Sequence, residues 1–342
     1  MMAWRRGGCR RTSVIIAALA VAACSLTSAP HHPPARTPTQ QPAAEIPLPG
    51  DNSRFDYASL DPIHRLLFIA HLGAGEVIEV DVDHQQVVRT IPNISRVHGV
   101  LTVPSLNRVY ATATGDNHVV AIDEATGQIA ASAATGEYPD GLAYDPRRNT
   151  IWTTNETGGT ETVFDAADLH QRGTVEAGGQ VGNVGYDSDS DRMLVAVQGT
   201  NDLAIIDPAA LTITDRVALP GCAHPHGLAI DTGDRLAFIA CDENATLVTV
   251  DLNTHAVTAT NPVGQDPDVL AYDPGAHRLY VAAESGTVST LDLHGRDLTV
   301  TNSAFLADGA HVVAVDPDTH RSYYPVPAGR DGHPALLVFP PG

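Results

Sequence analysis

A short turn built on Asp-Pro recurs along the chain, and this repetition limits the fold more than any other feature. The clearest copy is Tyr272-Asp273-Pro274, and successive copies are 42 to 44 residues apart. We call the Asp of this turn, or the residue that stands in its place, the marker position. The seven markers are Asp61, Val103, Asp145, Asp187, Asp231, Asp273 and Asp316. Units of this length bury their apolar faces only against neighbouring copies, so the chain is predicted to form a repeat architecture.

Each copy contains the same succession of four short strands. A first strand such as Gly141–Tyr144 leads into the marker turn, and a second strand follows, as in Arg278–Ala282. A third strand ends in Asp, as in Leu203–Asp207, and a tight turn leads to the fourth. Such β-branched runs, separated by Gly, Pro, Asn and Asp, predict antiparallel strands, and no sustained 3.6-residue period predicts a helix. The sequence therefore predicts an all-β fold, a seven-bladed β-propeller with four-stranded antiparallel blades.

The seventh copy ends after three strands, and we expect its fourth strand to come from the other end of the chain. Residues 45–50 (Glu-Ile-Pro-Leu-Pro-Gly) are similar to the end of an ordinary fourth strand, Val217–Gly221. An N-terminal strand in the last blade would remove two free sheet edges and fasten the ring. Its Pro residues are tolerable there, because the fourth strand is the outer edge of a blade.

The blade sequences resemble a known family of bacterial proteins. The runs Gly141–Pro146, Arg278–Ala282 and Val120–Asp123 are similar to the repeats of YVTN-type (YncE-like) β-propeller proteins, and the resemblance covers residues 45–342. It implies the propeller fold but no single activity, since related propellers include non-catalytic binding proteins, lactonases and streptogramin lyases. The chain departs from the family pattern at Val103-Pro104, at Asp187-Ser188 and in the Pro-rich stretch Pro325–Pro334.

The amino terminus has the features of an export signal followed by a tether. Four Arg residues precede the apolar run Val14–Ala23, which is too short to span a bilayer. The run ends in Val21-Ala22-Ala23-Cys24, which resembles a bacterial lipobox and makes Cys24 the expected lipidation site; the alternative is an ordinary cleaved signal with a chance Cys. We expect a lipoprotein signal peptide at 1–23, a disordered Pro-rich tether at 24–44 and the propeller at 45–342, exported and lipid-anchored at the cell envelope.

The charge of the chain argues against a nucleic-acid partner. The chain has 40 acidic and 20 basic residues, for a net charge of −20. Nucleic-acid affinity comes largely from cationic side chains that release counterions from phosphates, and an acidic surface repels phosphate backbones. We expect a monomer that contacts the membrane only through its anchor and meets a small molecule or an envelope protein at its channel mouth.

A column of His and Asp residues lies five positions before the markers. In a propeller the first strand of each blade lines the central channel, so these side chains are expected to converge at one mouth. The column consists of Asp56, His98, Asp140, Gly182, His226, Asp268 and His311. Loops after the second strands are expected to add His71, Asn155, Glu156, Gln198, Asp242, Glu243 and Glu284, with His224 two residues before His226.

Two interpretations of this column are open. Asp or another polar residue before Gly is a good turn sequence, and polar side chains at a wet channel mouth need no ligand. Alternatively the column binds a ligand or a divalent metal ion, with His98, His226 and His311 as candidate metal ligands. Metal ligands must lie within roughly 2.0–2.6 Å of the ion. Near neighbours are therefore the expected set, such as His311, Asp56, His98 and Asp140.

Two cysteines lie on the expected mouth face of one blade. Cys222 precedes the first strand of the fifth blade, and Cys241 ends its second strand. A disulfide between the two loops is the simplest account in an exported protein. A metal role beside His224 and His226 and a pair of free thiols are the alternatives. Together with Glu243, these residues make the fifth blade the strongest local candidate for a site.

No recognised catalytic motif accompanies the repeats, such as a phosphate-binding Gly loop, a nucleophile elbow or a His-Glu-x-x-His helix. The Asp residues that close six third strands recur too regularly to be catalytic and are expected to form turns on the opposite face: Asp81, Asp123, Asp165, Asp207, Asp251 and Asp292. We therefore expect a binding or scaffold protein with a His/Asp-lined ligand site and no certain cofactor. The alternative is a metal-dependent hydrolase or lyase of the lactonase or streptogramin-lyase type, in which the mouth holds a divalent ion.

Overall fold

The computed structural model describes residues 40–342. The predicted signal segment 1–23, the lipidation site Cys24 and all but the end of the predicted tether lie outside the described residues. Between residues 40 and 342, no helix has the length and hydropathy needed to cross a bilayer.

The described part of the chain forms seven four-stranded antiparallel sheets, so the predicted seven-bladed propeller is confirmed. Blade 1 contains β2 (Ala58–Asp61), β3 (Leu66–His71), β4 (Glu76–Asp81) and β5 (Gln86–Pro92). Blade 2 contains β6 (Val97–Val103), β7 (Arg108–Ala113), β8 (His118–Asp123) and β9 (Ile129–Ala134). Blade 3 contains β10 (Pro139–Asp145), β11 (Thr150–Asn155), β12 (Thr160–Asp165) and β13 (Gln171–Glu176). Blade 4 contains β14 (Val181–Asp187), β15 (Arg192–Val197), β16 (Asp202–Asp207) and β17 (Thr212–Ala218).

The remaining blades follow the same order. Blade 5 contains β18 (Pro225–Asp231), β19 (Leu236–Cys241), β20 (Thr246–Asp251) and β21 (Ala256–Pro262). Blade 6 contains β22 (Pro267–Asp273), β23 (Arg278–Ala283), β24 (Thr287–His294) and β25 (Asp297–Phe305). Blade 7 contains β26 (Ala314–Val315), β27 (Ser322–Val326), β28 (Ala335–Phe339) and, at its outer edge, β1 (Ala44–Pro47). The helical content of residues 40–342 is limited to single 3-10 turns at Pro104–Leu106, Thr114–Asp116 and Asp242–Asn244.

The apolar core lies between the blades rather than within one central cluster. Second and third strands such as β3 and β4 are buried almost throughout, because a neighbouring sheet covers each of their faces. Fourth strands such as β5 alternate between exposed and partly buried residues, as an outer edge does. The first strands contact one another in a closed circle from β2 round to β26 and back to β2. They therefore line the channel and bring the residues that precede the markers to a common opening.

The predicted turn-forming role of the Asp residues that close third strands is confirmed in five blades. Asp81 Oδ1 accepts backbone N–H bonds of 3.0 and 2.8 Å from the second and third residues after it. Equivalent bonds are accepted by Asp123, Asp165, Asp207 and Asp251. The prediction is wrong for Asp292, because β24 continues to His294 and the turn follows that residue. Asp292 instead accepts a 2.6 Å bond from Arg278 Nε.

The ring is closed by the predicted N-terminal strand. β1 pairs antiparallel with β28, from Ala44 opposite Val338 to Pro47 opposite Ala335. Ile46, which is 4% exposed, packs into the apolar core shared by blades 7 and 1. Ring closure therefore depends on apolar burial by a strand far from the rest of its blade in sequence.

We expect Ile46→Ala to lower the free energy of unfolding by about 2–4 kcal/mol, because it removes a buried aliphatic side chain and leaves a cavity. The matched change Ile63→Ala, at a side chain that is 70% exposed, should shift it by less than about 0.5 kcal/mol. The measurement is the midpoint of chemical denaturation for both variants. Equal effects of the two substitutions would contradict a stabilising role for the closing strand.

Candidate functional site

The His/Asp column lies where a β-bulge interrupts the pairing of the first strands. Between β6 and β7 the register passes from Val97 opposite Ala113 to Val100 opposite Ala111, which leaves one extra residue in the first strand. The same shift occurs in blades 3, 4, 5 and 6. A bulge turns side chains away from the regular pleat, and here it directs the column towards the channel.

Glycine permits neighbouring first strands to approach closely at this level. In three blades the residue after the column is Gly: Gly99, Gly141 and Gly227. A Cβ on Gly99 would lie 2.2 Å from the carbonyl oxygen of Asp140, which is too close for any other residue. Gly182 interrupts the column for a similar reason, since a Cβ there would lie 2.6 Å from the Cα of His226. The break in the His/Asp pattern is therefore a packing requirement of the ring.

Imidazoles and carboxylates of the column meet around the mouth. His226 Nε2 lies 3.2 Å from Asp268 Oδ1 and 3.9 Å from Asp140 Oδ2. His311 Nε2 lies 3.5 Å from Asp56 Oδ1 and 3.9 Å from Asp268 Oδ2. All five residues except His226 are at least nine-tenths buried. The column thus forms a compact buried group, in agreement with its predicted convergence.

His98 belongs to the same ring but is held by other groups. Its Nδ1 lies 2.9 Å from the carbonyl oxygen of Arg96, and its Nε2 lies 3.2 Å from the Tyr138 hydroxyl. The nearest column carboxylate is Asp56, with Oδ2 at 3.7 Å from Nε2. His98 therefore lines the side of the mouth, and both of its ring nitrogens already have partners.

Arg54 is a central residue of the site that the sequence analysis did not identify. Its guanidinium lies 3.1 Å from Asp56 Oδ1 and 3.5 Å from Asp268 Oδ2, and it donates a further bond to Glu284. Arg54 enters from the loop before β2 and is partly exposed. The signal was a cation two residues before a column Asp in a chain with few cations. In the structure it neutralises part of the carboxylate charge at the bottom of the mouth.

A hydrogen bond crosses the channel between the residues that follow the column in blades 4 and 1. The Asn183 Nδ2 donates to the Tyr57 hydroxyl at 2.8 Å, between blades 4 and 1. These are the residues immediately after column positions, where three other blades have Gly. Below this bond lies a separate cavity of about 310 Å³, lined largely by apolar residues such as Leu60, Val100 and Leu142. The mouth is therefore a cup with a floor rather than the entrance of an open channel.

Burial and neighbouring charges shift the pKa values of the column residues in different directions. Burial, with the nearby Asp56 carboxylate, raises the pKa of Asp140 well above its usual value. Burial alone would lower the pKa of His226, but its hydrogen bond to Asp268 raises that pKa to about 10. Burial likewise opposes ionisation of Asp268, yet the bond from His226 lowers the pKa of this carboxyl to about 2. At neutral pH we expect a His226–Asp268 ion pair beside Asp140, the carboxyl group whose protonated form burial favours.

The cup has a volume of about 560 Å³ and an acidic lining. Its carboxylic acids are Asp56, Asp140, Glu156, Asp242, Glu243, Asp266, Asp268 and Glu284. Its basic residues are Arg54, Arg96, His98, His224 and His226. Even without Asp140, whose protonated form burial favours, seven carboxylic acids line the cup against two Arg residues and the raised-pKa imidazole of His226. The predicted ligand-site residues Glu243, Glu284 and His224 thus do face the same space as the column.

The structure corrects the predicted grouping of metal ligands. Within residues 40–342, the mouth offers one set of three ligand atoms that lie within 4.8 Å of one another, from Asp56, Asp268 and His311. His98 and His226 do not join His311 in such a set, because each faces different partners. The third ligand beside His311 and Asp56 is thus Asp268, whereas the sequence analysis expected His98 and Asp140. Asp56 Oδ2 and both ring nitrogens of His311 are buried without a hydrogen-bond partner among the described residues.

The rim of blade 5 is cross-linked. A disulfide joins Cys222 and Cys241, whose Cα atoms are 5.3 Å apart. His224 Nδ1 lies 2.8 Å from Asp242 Oδ2, so this imidazole already has a carboxylate partner. The cysteines are therefore placed to fix the loops that carry His224 and Glu243, rather than to coordinate an ion.

Three other polar residues predicted for the mouth have supporting roles. His71 is fully buried and stacks on Phe55, with 4.3 Å between ring centroids. Asn155 donates to Thr162 at 2.8 Å within blade 3. The Gln198 amide lies 2.7 Å from His226 Nδ1 and orients that ring. These residues pack against or hydrogen-bond to the residues around the mouth, and they do not line the cup themselves.

Comparison with known proteins supports the fold. No family model matches the chain, and no curated protein matches it in sequence. A Kuenenia stuttgartiensis hydrazine synthase chain superposes with a TM-score of 0.74 at 14% identity, covering 83% of this chain and 94% of that chain. The RRP9 WD40 repeats give 0.74 at 12% identity, covering 88% and 99%. A chain of the Mitotic Checkpoint Complex gives 0.72 at 15% identity, covering 94% and 98%. At these identities the likeness shows the propeller fold alone.

We expect Tyr57→Phe to lower the free energy of unfolding by about 1–2 kcal/mol, because it leaves the Asn183 amide, 8% exposed, without its partner across the channel. Tyr144→Phe is the matched control, since that hydroxyl donates to Asn149 only five residues away at a position water can reach. Its effect should stay below about 0.5 kcal/mol, measured by denaturant titration. A smaller loss of stability for Tyr57→Phe than for Tyr144→Phe would contradict a stabilising hydrogen bond between Tyr57 and Asn183.

Proposed function

We propose that the protein is an extracytoplasmic, lipid-anchored binding protein that takes a small cationic molecule into the cup at its channel mouth. The observation that carries this proposal is the acidic lining of the cup above a closed floor. Asp56 Oδ2, a buried carboxylate oxygen without a hydrogen-bond partner among the described residues, belongs to a residue that lines this space. The propeller fold in general supports a binding or scaffold role, and one similar chain belongs to a multiprotein checkpoint complex.

The shape and chemistry of the cup favour a small ligand. A volume of about 560 Å³ is within the range of small-molecule sites, and the hydrogen bond between Asn183 and Tyr57 crosses the channel beneath it. Carboxylates supply charge complementarity for ammonium groups, and the Tyr138 ring at the cup already has the Arg96 guanidinium over it, 5.9 Å from the ring centroid. An anionic ligand would instead meet the carboxylates of Glu156, Glu243 and Glu284.

The proposed location depends on the segment before the propeller. The lipobox-like Val21-Ala22-Ala23-Cys24 and the Pro-rich stretch that follows support export and anchoring at the cell envelope. The repeats resemble YVTN-type propellers, and we propose membership of that group on the same residues. The disulfide between Cys222 and Cys241 agrees with an oxidising compartment.

The ligand class is tested with two probes of equal chain length, 1,4-diaminobutane and succinate, titrated into the full chain by calorimetry at low salt. We expect the diamine to bind and succinate not to bind. Asp268→Asn should weaken diamine binding about tenfold or more, because it removes an ionic partner within the cup. Asp215→Asn, on the outer strand β17, should leave it unchanged. Binding of succinate in preference to the diamine would refute the proposed ligand class.

A second candidate function is metal-dependent hydrolysis or elimination, and a specific observation favours it. Asp56, Asp268 and His311 form the three-ligand set, and the two His311 nitrogens lack hydrogen-bond partners. Two carboxylates and an imidazole suit Zn²⁺ or Mn²⁺, which would supply Lewis-acid activation of a substrate carbonyl. Arg54 opposes this function, since its guanidinium lies between the same carboxylates.

The two functions predict different results when the chain is loaded with Zn²⁺ or Mn²⁺ and assayed on simple lactones. Under the enzymatic candidate, turnover appears with one ion per cup, His311→Ala removes both, and His224→Ala on the rim retains both. Under the binding proposal, none of these proteins hydrolyses lactones above the uncatalysed rate. The readouts are metal content after gel filtration and the rate of lactone opening.

A further inference from the structure

The face opposite the cup carries a second group of ionisable residues, at the junction of blades 1 and 2. Asp61 is the marker of blade 1, His64 lies three residues after it, and Glu124 follows the third strand of blade 2. His64 Nδ1 lies 2.8 Å from Asp61 Oδ2 and 3.1 Å from Glu124 Oε1. One ligand atom from each residue lies within 4.8 Å of the others. Asp61 and Glu124 are buried, whereas the His64 side chain is 46% exposed and opens to solvent.

Other blade junctions show what normally faces a marker carboxylate. In four of them a donor from the following blade binds the marker Asp. These pairs are Arg65 with Asp316, His320 with Asp273, Tyr272 with Asp231, and Arg235 with Asp187. At the junction of blades 1 and 2 the following blade supplies Glu124, a second acid, instead of a donor.

One other junction also places two carboxylates together, and it shows how their charge is compensated. Arg148 binds Asp145 at 2.8 Å in its own blade and Asp191 of blade 4 at 2.7 Å. Arg148 lies three residues after its marker, which is the position that His64 occupies in blade 1. A permanent cation therefore bridges the pair in blade 3, whereas an imidazole bridges the pair in blade 1. An imidazole, unlike a guanidinium, is a metal ligand.

Glu124 provides an independent sign that a group is bound here. It is 4% exposed, and its Oε2 is buried without a hydrogen-bond partner among the described residues. One of its carboxylate oxygens lies within 4.8 Å of an oxygen of the buried Asp61 carboxylate. Two buried carboxyl groups therefore share one imidazole at this junction, where the junction of blades 3 and 4 has a guanidinium.

We propose that Asp61, His64 and Glu124 bind a divalent metal ion that joins blades 1 and 2, in the role that the Arg148 guanidinium has between blades 3 and 4. Ligand atoms about 3–3.5 Å apart suit a tetrahedral ion with bonds of about 2.0–2.2 Å. Of the separations at His64 Nδ1, the 3.1 Å to Glu124 Oε1 is at the start of this range and the 2.8 Å to Asp61 Oδ2 is shorter, so these side chains must move apart by a few tenths of an ångström to admit the ion. One imidazole and two carboxylates favour Zn²⁺ or Mn²⁺ over Ca²⁺, and the exposed side of His64 leaves room for water as a further ligand.

The site is tested on the full chain after chelation, by titrating Zn²⁺ and Mn²⁺ while following calorimetric binding and thermal unfolding. To keep ions in the cup from contributing, all proteins carry Asp268→Asn. We expect binding of one ion with a rise in Tm, and about a hundredfold loss of affinity in His64→Ala and Glu124→Gln. His84→Ala is the matched control, since His84 Nδ1 lies 2.8 Å from Asp81 Oδ2 and makes no hydrogen bond to a second carboxylate of residues 40–342. It should bind as tightly as the parent.

The variant His64→Arg tests whether a metal ion, and not only a proton, compensates the charge of the two carboxylates. Because it recreates the arrangement of Arg148, this variant should be as stable without metal as the parent is with metal, and its Tm should not respond to Zn²⁺ or Mn²⁺. The proposal is overturned if the parent protein, which carries only Asp268→Asn, binds neither Zn²⁺ nor Mn²⁺ at millimolar concentration. It is also overturned if Glu124→Gln binds as tightly as the parent, or if His64→Arg still gains stability from added metal.

Discussion

The seven first strands approach one another round the channel until backbone nearly touches backbone, and glycine makes that approach feasible. At Gly99 the neighbouring carbonyl of Asp140 occupies the place of a side chain. This contact fixes how wide the ring is at the level of the column. A wider ring would separate the imidazoles from the carboxylates and allow water between them. The buried ion pair of His226 and Asp268, and the cup itself, therefore depend on the absence of side chains at a few positions.

The two faces of the ring manage charge in different ways. On the marker face, the same carboxylate recurs in most blades and accepts backbone N–H groups, so its role is mainly structural. On the cup face, the contributed side chain changes between Asp, His and Gly from blade to blade, and acids outnumber bases. Arg54 and His226 compensate only part of that charge. Function is expected where the repeat pattern gives way to individual residues, because a fold needs regularity but recognition needs asymmetry.

The fold could be predicted in detail from the sequence, but the site only in part. The marker period gives the number of blades, the short last copy predicts the strand from 45–50, and the column predicts which side chains converge. Sequence spacing does not give distances across the ring. It therefore could not show that Asp268 rather than His98 approaches His311, or that Tyr57 meets Asn183. Arg54 lies in a loop outside the repeat pattern, and Asp292 was misplaced because β24 is longer than its counterparts.

Closure of the ring by β1 has a mechanical consequence. Among residues 40–342, the four residue pairs between β1 and β28 and the bond from Ala43 N–H to the Val338 carbonyl oxygen hold the N-terminal end to the seventh blade. Any pull transmitted along that leading segment acts first on this outer edge and would peel the strand away before disturbing other blades. The core residue Ile46 would then be drawn into water and the seventh sheet would be left with an open border. A force on the segment before β1 would thus separate β1 from β28, while the other six sheets keep all four of their strands.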